Sequence, residues 1–206
     1  MPADSSAPSG DPRRGPTFTE RARRAQLVAV TVDLIARHGY QRCSLQRIAD
    51  AAGITKAAVI YHFTSKDAVI RAAYSSVIAS LTEQVGAAVE SARTPAAAVE
   101  AYLRAMLGHM AANPSHVRVI VEALDGQNDT GIEDRRSPAR WQPLAALIDA
   151  AAAAGEYRPD VDSRVLAIIL GGAVDAVVAE TLADPTFDLV AATGAVLAIA
   201  DTARPQ

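Results

Sequence analysis

One cysteine in 206 residues, Cys43, leaves no disulfide within the chain and reads as a small apolar or helix-edge residue. Aromatic residues make up only 4% of the chain, against 50% apolar content rich in alanine. That balance favours closely packed helices over sandwiched sheets. Four histidines and the single cysteine form no pair at ligand spacing, so no metal site and no cofactor is expected. A nucleophile elbow and a phosphate-cradling glycine loop are also missing, so no catalytic residue is assigned and the chain is not expected to be an enzyme. The apolar run Val165 to Leu182 is broken by Asp175 and Glu180, and the first residues lack the apolar core of a signal peptide. A soluble, cytoplasmic, largely helical protein without a membrane partner is the expectation.

The net charge of -3 conceals an asymmetry. From Met1 to Arg71 there are eleven Lys/Arg against six Asp/Glu, a balance of +5; from Ala72 to Gln206 there are nine against seventeen, a balance of -8. A basic N-terminal third can neutralise phosphates, whereas an acidic remainder is poorly suited to lie on nucleic acid.

Within that basic third, Ser44 to Phe63 carries two short helical patterns broken at Gly53. Gly53 suits a tight reversal with positive φ, and Thr55 can cap the next helix. Ala49 and Ala52 allow close approach of two steeply crossed helices, with Ile48, Ile54 and Val59 filling the space between them. This is the layout of a helix-turn-helix that offers Lys56 to His62 to the major groove. A helical hairpin without DNA binding is the alternative.

Around it the chain reads as helices with recognisable ends. Residues 1–16, rich in proline and glycine, are expected to be a disordered arm, with Arg13 and Arg14 able to reach DNA. A first helix is predicted from Thr17 or Thr19 to His38, stopped by Gly39, with Arg21, Arg23 and Arg24 set against the macrodipole in a way that phosphates would explain. Ser65 caps a long fourth helix reaching about Ala92. Thr94–Pro95 opens another that ends at Asn113–Pro114, followed by a shorter one over Ser115 to Ala123. Asp125 to Pro138 is a predicted polar loop. Ser137–Pro138 opens a helix to Ala154, and two strongly apolar helices cover Ser163 to Leu182 and Phe187 to about Thr202. Those last two carry nearly two apolar stripes each, enough to touch both their own body and a second subunit.

The segment Arg24 to Tyr74 resembles the TetR family of transcriptional regulators. The resemblance lies in Gly39–Tyr40, Ser44–Leu45, Ile48–Ala49, Ala52–Gly53–Ile54–Thr55–Lys56, Tyr61–His62–Phe63 and Ser65–Lys66–Asp67, in that order. It implies an all-α fold: a three-helix helix-turn-helix head over residues 17–64 on a six-helix ligand-binding and dimerisation body over 65–206. It further implies a homodimer built from the last two helices, residues 162–203, that binds a double-stranded, palindromic operator. Such a protein is usually a repressor released by a small molecule; a ligand-dependent activator, a co-repressor-type regulator and a structural dimer with a degenerate helix-turn-helix are the alternatives. One departure concerns the position three residues after Ala57, often aromatic in the family and here Ile60, so either Ile60 or Tyr61 makes the local DNA contact.

The expected DNA contacts are Ser44, Gln46 and Arg47 at the start of the second helix, and Thr55, Lys56, Ala57, Ala58, Ile60 and Tyr61 on the recognition helix. Lys66, at the start of the fourth, completes the set. Because the alanines carry no hydrogen-bonding groups, specificity is expected from few contacts, thymine methyls and DNA shape. Candidate ligand contacts are Tyr74, Tyr102, Met106, Met110, Trp141 and Val174, with polar help from His109, His116, Glu122 or Asp175. Either carboxylate can meet a cationic ligand, face solvent or pair with an arginine.

Overall fold

A computed structural model describes residues 17–124 and 137–205. The expected arm over 1–16, with Arg13 and Arg14, and residues 125–136 of the expected polar loop lie outside the described residues. Among the described residues there are nine α-helices and no strand. They are α1 (Phe18–His38), α2 (Leu45–Ala52), α3 (Lys56–His62), α4 (Lys66–Glu90), α5 (Pro95–Ala112), α6 (Pro114–Leu124), α7 (Gln142–Ala153), α8 (Ser163–Ala183) and α9 (Leu189–Asp201).

Side chains just outside the helices set most of their starts. Ser44, Thr55, Ser65, Thr94 and Asp162 each accept from a backbone amide in the first turn that follows, and Thr17 forms a capping box with Glu20. Each such cap contributes about 1 kcal/mol. Gly53 adopts φ 66, ψ 34, and the Ile54 amide folds back on the Ala49 carbonyl at 3.0 Å, which turns the chain sharply between α2 and α3.

Three boundaries differ from the sequence expectation by more than a single residue. α4 stops at Glu90: the Ser91 hydroxyl donates to the Ala87 carbonyl at 2.6 Å, and Pro95 holds Thr94 extended at φ -137, ψ 157. The helix predicted from Ser137–Pro138 is split into a short 3-10 turn, Pro138–Arg140, and α7. Pro143 explains the split: in a continuous helix it would clash with the preceding turn, whereas at the start of α7 its missing N–H costs nothing. Finally, α9 begins at Leu189, not Phe187. Asp184 holds Pro185–Thr186 in a turn by accepting from both the amide and hydroxyl of Thr186, and Asp188 caps the helix through the Ala191 amide.

The head packs α1, α2 and α3 around Leu27, Ile35, Ile48, Ala49, Val59 and Phe63, all buried. In the body, α5 is central and touches α4, α6, α7, α8 and α9, with Leu103 and Leu107 fully enclosed. Head and body meet where α1 lies against α4 and α6. By length and composition α8 is apolar enough to cross a membrane, with a mean hydropathy of 2.0, yet only 22% of its most apolar window is buried inside the chain. It packs on α5, α6, α7 and α9 and leaves Val165, Ile168, Ile169 and Leu182 exposed.

Candidate nucleic-acid interface and ligand cavity

A helix of seven residues has room for one apolar anchor and one exposed face. In α3 the anchor is Val59, fully buried. Lys56, Ala57, Ile60 and Tyr61 then share the opposite face by their helical spacing, and all four are exposed, Ile60 by 44% and Tyr61 by 73%. Ala58 turns toward the head and is half-buried. Thr55 accepts from the Ala58 amide at 3.2 Å, so its hydroxyl is engaged as a cap.

At the start of α2, Ser44 is likewise a cap, accepting from the Arg47 amide at 3.2 Å. Gln46 donates to Asp50 at 2.8 Å, and Arg47 donates to the Arg42 carbonyl at 3.1 Å; both are exposed. Two expected phosphate contacts have partners inside the protein. The Tyr61 hydroxyl donates to Glu20 at 2.9 Å. Lys66 is half-buried; its ammonium donates to the Tyr40 carbonyl at 3.1 Å and lies 4.5 Å from the centre of the Tyr40 ring. Glu20 is held below its ordinary carboxylate range, first by the Thr17 amide and then by Tyr61, whose phenol is raised in turn by that carboxylate. Arg24 explains part of the arginine cluster without phosphate: its guanidinium stacks 4.0 Å over the Phe63 ring and donates to the His62 carbonyl.

The body encloses a cavity of about 170 Å³. Tyr74, Ile78 and Leu81 of α4, Tyr102, Met106 and Met110 of α5, and Ile120 of α6 line it, closed by Ala139 and Arg140 of the 3-10 turn and by Val174, Asp175 and Val178 of α8. Six of the expected ligand contacts, Tyr74, Tyr102, Met106, Met110, Val174 and Asp175, are therefore brought together. Burial raises the Tyr102 phenol, and the nearby Arg140 charge opposes that shift.

His109, Glu122 and Trp141 are not part of this lining. His109 is buried between helices, its Nδ1 2.8 Å from Gln84 Oε1 and its Nε2 2.9 Å from His116 Nδ1. With Gln84 Oε1 as acceptor, His109 carries its proton on Nδ1 and accepts from His116, which ties α5 to α4 and α6. Burial lowers both histidines, and His116 is lowered further by His109. Glu122 reaches the head instead: it accepts from the Tyr40 amide at 2.5 Å and from Arg118 at 3.0 Å, while Arg118 also donates to the Ala36 carbonyl at 3.2 Å. Trp141 lines a separate groove of about 200 Å³ with Ala167, Ile168, Gly171 and Gly172, which shares Arg140 and Asp175 with the cavity. A larger, open trough of about 710 Å³ runs between α1 and α4 to Ser115 and His116.

Sequence reasoning overlooked Arg140. Its guanidinium donates to both oxygens of Asp175, at 3.0 and 2.8 Å, and the two residues are thirty-five positions apart, so no local spacing announces the pair. The Arg118–Glu122 pair does have such a signal, the i, i+4 spacing on a helix.

Comparison with known proteins agrees with this architecture. The sequence profile "Bacterial regulatory proteins, tetR family" matches residues 27–73. The HTH-type transcriptional activator FasR of Mycolicibacterium smegmatis is 28% identical over 99 residues, 46% of this chain and 45% of that protein. The nucleoid occlusion factor SlmA of Haemophilus ducreyi is 26% identical over 106 residues, 51% of this chain and 52% of that one. The chain thus spans about half the length of the curated relatives it matches. Among solved structures, the fatty acid degradation regulator FadR of Bacillus halodurans superposes with a TM-score of 0.75 at 19% identity, covering 91% of this chain and 96% of that one. FadR of Bacillus subtilis, solved in complex with stearoyl-CoA, gives 0.76 at 18% identity, covering 85% and 96%. At these identities the likeness is one of fold.

Proposed function

We propose that this chain, which belongs to the TetR family of bacterial regulatory proteins, is a ligand-responsive transcriptional repressor that acts in the cytoplasm as a homodimer. Residues 17–64 bind a palindromic operator, and residues 65–206 bind the effector and pair through residues 162–203. On α3, Lys56 neutralises a phosphate, Ile60 meets a thymine methyl, and Tyr61 leaves Glu20 to donate to the backbone. Ser44, Gln46 and Arg47 seat the start of α2 on the same duplex. Two heads held roughly 34–36 Å apart match successive major grooves. No catalytic step belongs to this reading.

One observation carries the ligand response: the helices that wall the cavity are the helices that hold the head. Ile120 on α6 lines the cavity, and two residues to either side on the same helix Arg118 and Glu122 bond to the Ala36 carbonyl and the Tyr40 amide. Tyr74, Ile78 and Leu81 line it from α4, whose first residue, Lys66, is tied to Tyr40. A ligand that favours a different packing of α4 and α6 shifts the head in proportion to its differential affinity for the two states.

The test is binding of the purified dimer to duplex DNA from its own upstream region at two salt concentrations, with and without a fractionated small-molecule extract. Sequence-selective binding at the higher salt, lost in one fraction, supports a repressor relieved by ligand. Binding that follows salt alone, with no preference for sequence, sinks the regulator reading. An activator has one specific support, the name of the Mycolicibacterium relative over the shared 99 residues; binding that strengthens in a fraction would favour it.

A further inference from the structure

The cavity in the body is small, and its walls restrict what can enter. Its volume is about 170 Å³. Ordinary ligand pockets run from roughly 300 to 1,000 Å³, so this one suits a molecule well below that class. An apolar cavity of about 150 Å³ takes up benzene, which sets the scale at a single ring. Four helices contribute apolar walls, among them Ile78 of α4, Met106 and Met110 of α5, Ile120 of α6 and Val178 of α8. Such walls give water few hydrogen-bonding partners, so an apolar ligand displaces no firmly held water. Methionine adapts its shape to an occupant and makes favourable contacts with aromatic rings.

Two of the lining residues carry charge, and their signs are opposite. Arg140 donates to both carboxylate oxygens of Asp175, at 3.0 and 2.8 Å, and is engaged beyond that pair as well. An anion that took the guanidinium would have to displace Asp175, and a cation that took the carboxylate would have to displace Arg140. Either exchange leaves a partly enclosed charge without its partner, which is costly. An uncharged ligand incurs neither cost. The same pair also lines the groove beside Trp141, so it stands between the two spaces and keeps the cavity at its own size.

We propose that the effector is an uncharged, largely apolar molecule about the size of one aromatic ring, enclosed between α4, α5, α6 and α8 with the Arg140–Asp175 pair left intact. The inference rests on the reading of this chain as a ligand-responsive regulator. A ring in this space bears on α4 and α6 together, and both helices are bonded to the head at Tyr40.

The experiment uses the full-length protein and four probes: toluene, benzoate, benzylammonium and biphenyl. Calorimetry measures binding, and the melting temperature reports stabilisation by whatever binds the folded chain. Toluene should bind and raise the melting temperature. Benzoate and benzylammonium, the same ring with a charge of either sign, should bind at least about tenfold more weakly. Biphenyl, with its second ring, should also bind at least about tenfold more weakly, because a packed interior yields little to an oversized group. Val178→Phe fills the cavity from α8 and should abolish toluene binding, whereas Ile78→Ala enlarges it from α4 and should shift the preference toward biphenyl. Thermal unfolding checks both variants, and the size shift in Ile78→Ala decides the matter if Val178→Phe does not fold. A charged probe or biphenyl that matches toluene in the parent, no toluene binding, toluene binding unaltered in a folded Val178→Phe, or no size shift in Ile78→Ala overturns the proposal. Operator binding is measured in parallel. Sequence-selective DNA binding without toluene binding defeats this ligand class and leaves the regulator reading standing. Bound toluene with no effect on DNA supports the ligand class and defeats the regulatory coupling.

Discussion

Gly39 sits at φ 77, ψ 164, a region that side chains other than hydrogen avoid, and a Cβ built there would lie 3.0 Å from Glu122 Oε1. Two independent penalties thus meet at one residue, and Gly39→Ala should lower stability by about 1–3 kcal/mol, read from the midpoint of urea unfolding. Adding Glu122→Ala should remove the steric part and leave the backbone part, so the double variant should lose less than the two single losses combined. Strict additivity would show that Glu122 does not press on Gly39. The two lysines make a second contrast. Lys56 is exposed, so Lys56→Ala should weaken operator binding and shrink the salt dependence by roughly 0.9 in slope per phosphate contact while leaving unfolding unchanged. Lys66 holds Tyr40, so Lys66→Ala should also lower the melting temperature; a variant that melts like the parent would return Lys66 to the phosphate role read from sequence. The histidine pair gives a pH dependence. Both folded-state values lie below the ordinary 6.5, so the unfolded chain takes up protons first as pH falls. Stability from this pair is fully present above about pH 6.5 and is lost as pH drops toward the lowered values, by up to about 1.4 kcal/mol per pH unit for each histidine. Urea titrations at pH 7.5, 6.5 and 5.5 should show that fall in the parent and a flatter course in His116→Gln.

Helix ends are where sequence and structure correspond most closely, because a cap is a local event between a hydroxyl or carboxylate and an amide three residues on. Ser44, Thr55, Ser65, Thr94 and Asp162 are legible for that reason, whereas the first helix start was read only as Thr17 or Thr19. Thr55 matters most to the proposed function, since α3 has only seven residues and one buried anchor. Thr55→Ala should cost about 1 kcal/mol in urea unfolding and weaken operator binding, with Thr55→Ser restoring both. An unchanged operator affinity in a destabilised Thr55→Ala would mean that DNA itself orders α3. The boundaries that sequence misplaced involve residues whose effect depends on position: Pro143 breaks a helix or opens one according to where the turn begins, and Asp188 sets the start of α9 beyond Phe187 by capping it through the Ala191 amide, while Asp184 ties up Thr186. Side-chain destinations between helices were the least legible. Tyr74, Tyr102, Met106 and Met110 face the cavity as the apolar pattern suggested, but periodicity does not say which neighbour a helix face meets. Glu122 therefore went to the head, His109 to Gln84 and His116, and Arg140 to Asp175, each pairing fixed by tertiary packing alone.

At the scale of the whole molecule, the unsolved cost is apolar surface. Val165, Ile168 and Ile169 on α8 and Val190 and Ile199 on α9 remain exposed in the single chain, Val190 by 72%, and α8 and α9 pack side by side. Contiguous apolar surface of this kind is rare on a monomer and marks an association site. Gly171, Gly172 and Gly194 meet nothing where a Cβ would stand, so that face offers space for close helix approach by a second copy. In the proposed dimer, pairing would also set the DNA affinity: a second head tethered to the first would act at a high effective concentration, a gain of about 10²–10⁴ over one head alone. Ile169→Glu places a charge on the apolar face without touching the cavity lining or the α3 surface. It should convert the dimer to a monomer in sedimentation equilibrium, with unfolding still cooperative, and operator affinity should fall by at least about a hundredfold. Adding a short linker that fuses two Ile169→Glu chains in tandem should recover part of that affinity, because tethering replaces the lost interface. A variant that stays dimeric would move the subunit contact away from α8. A monomer that keeps full operator affinity would leave the heads working independently, and the linkage between ligand and DNA would then have to run entirely through α4 and α6 within one chain.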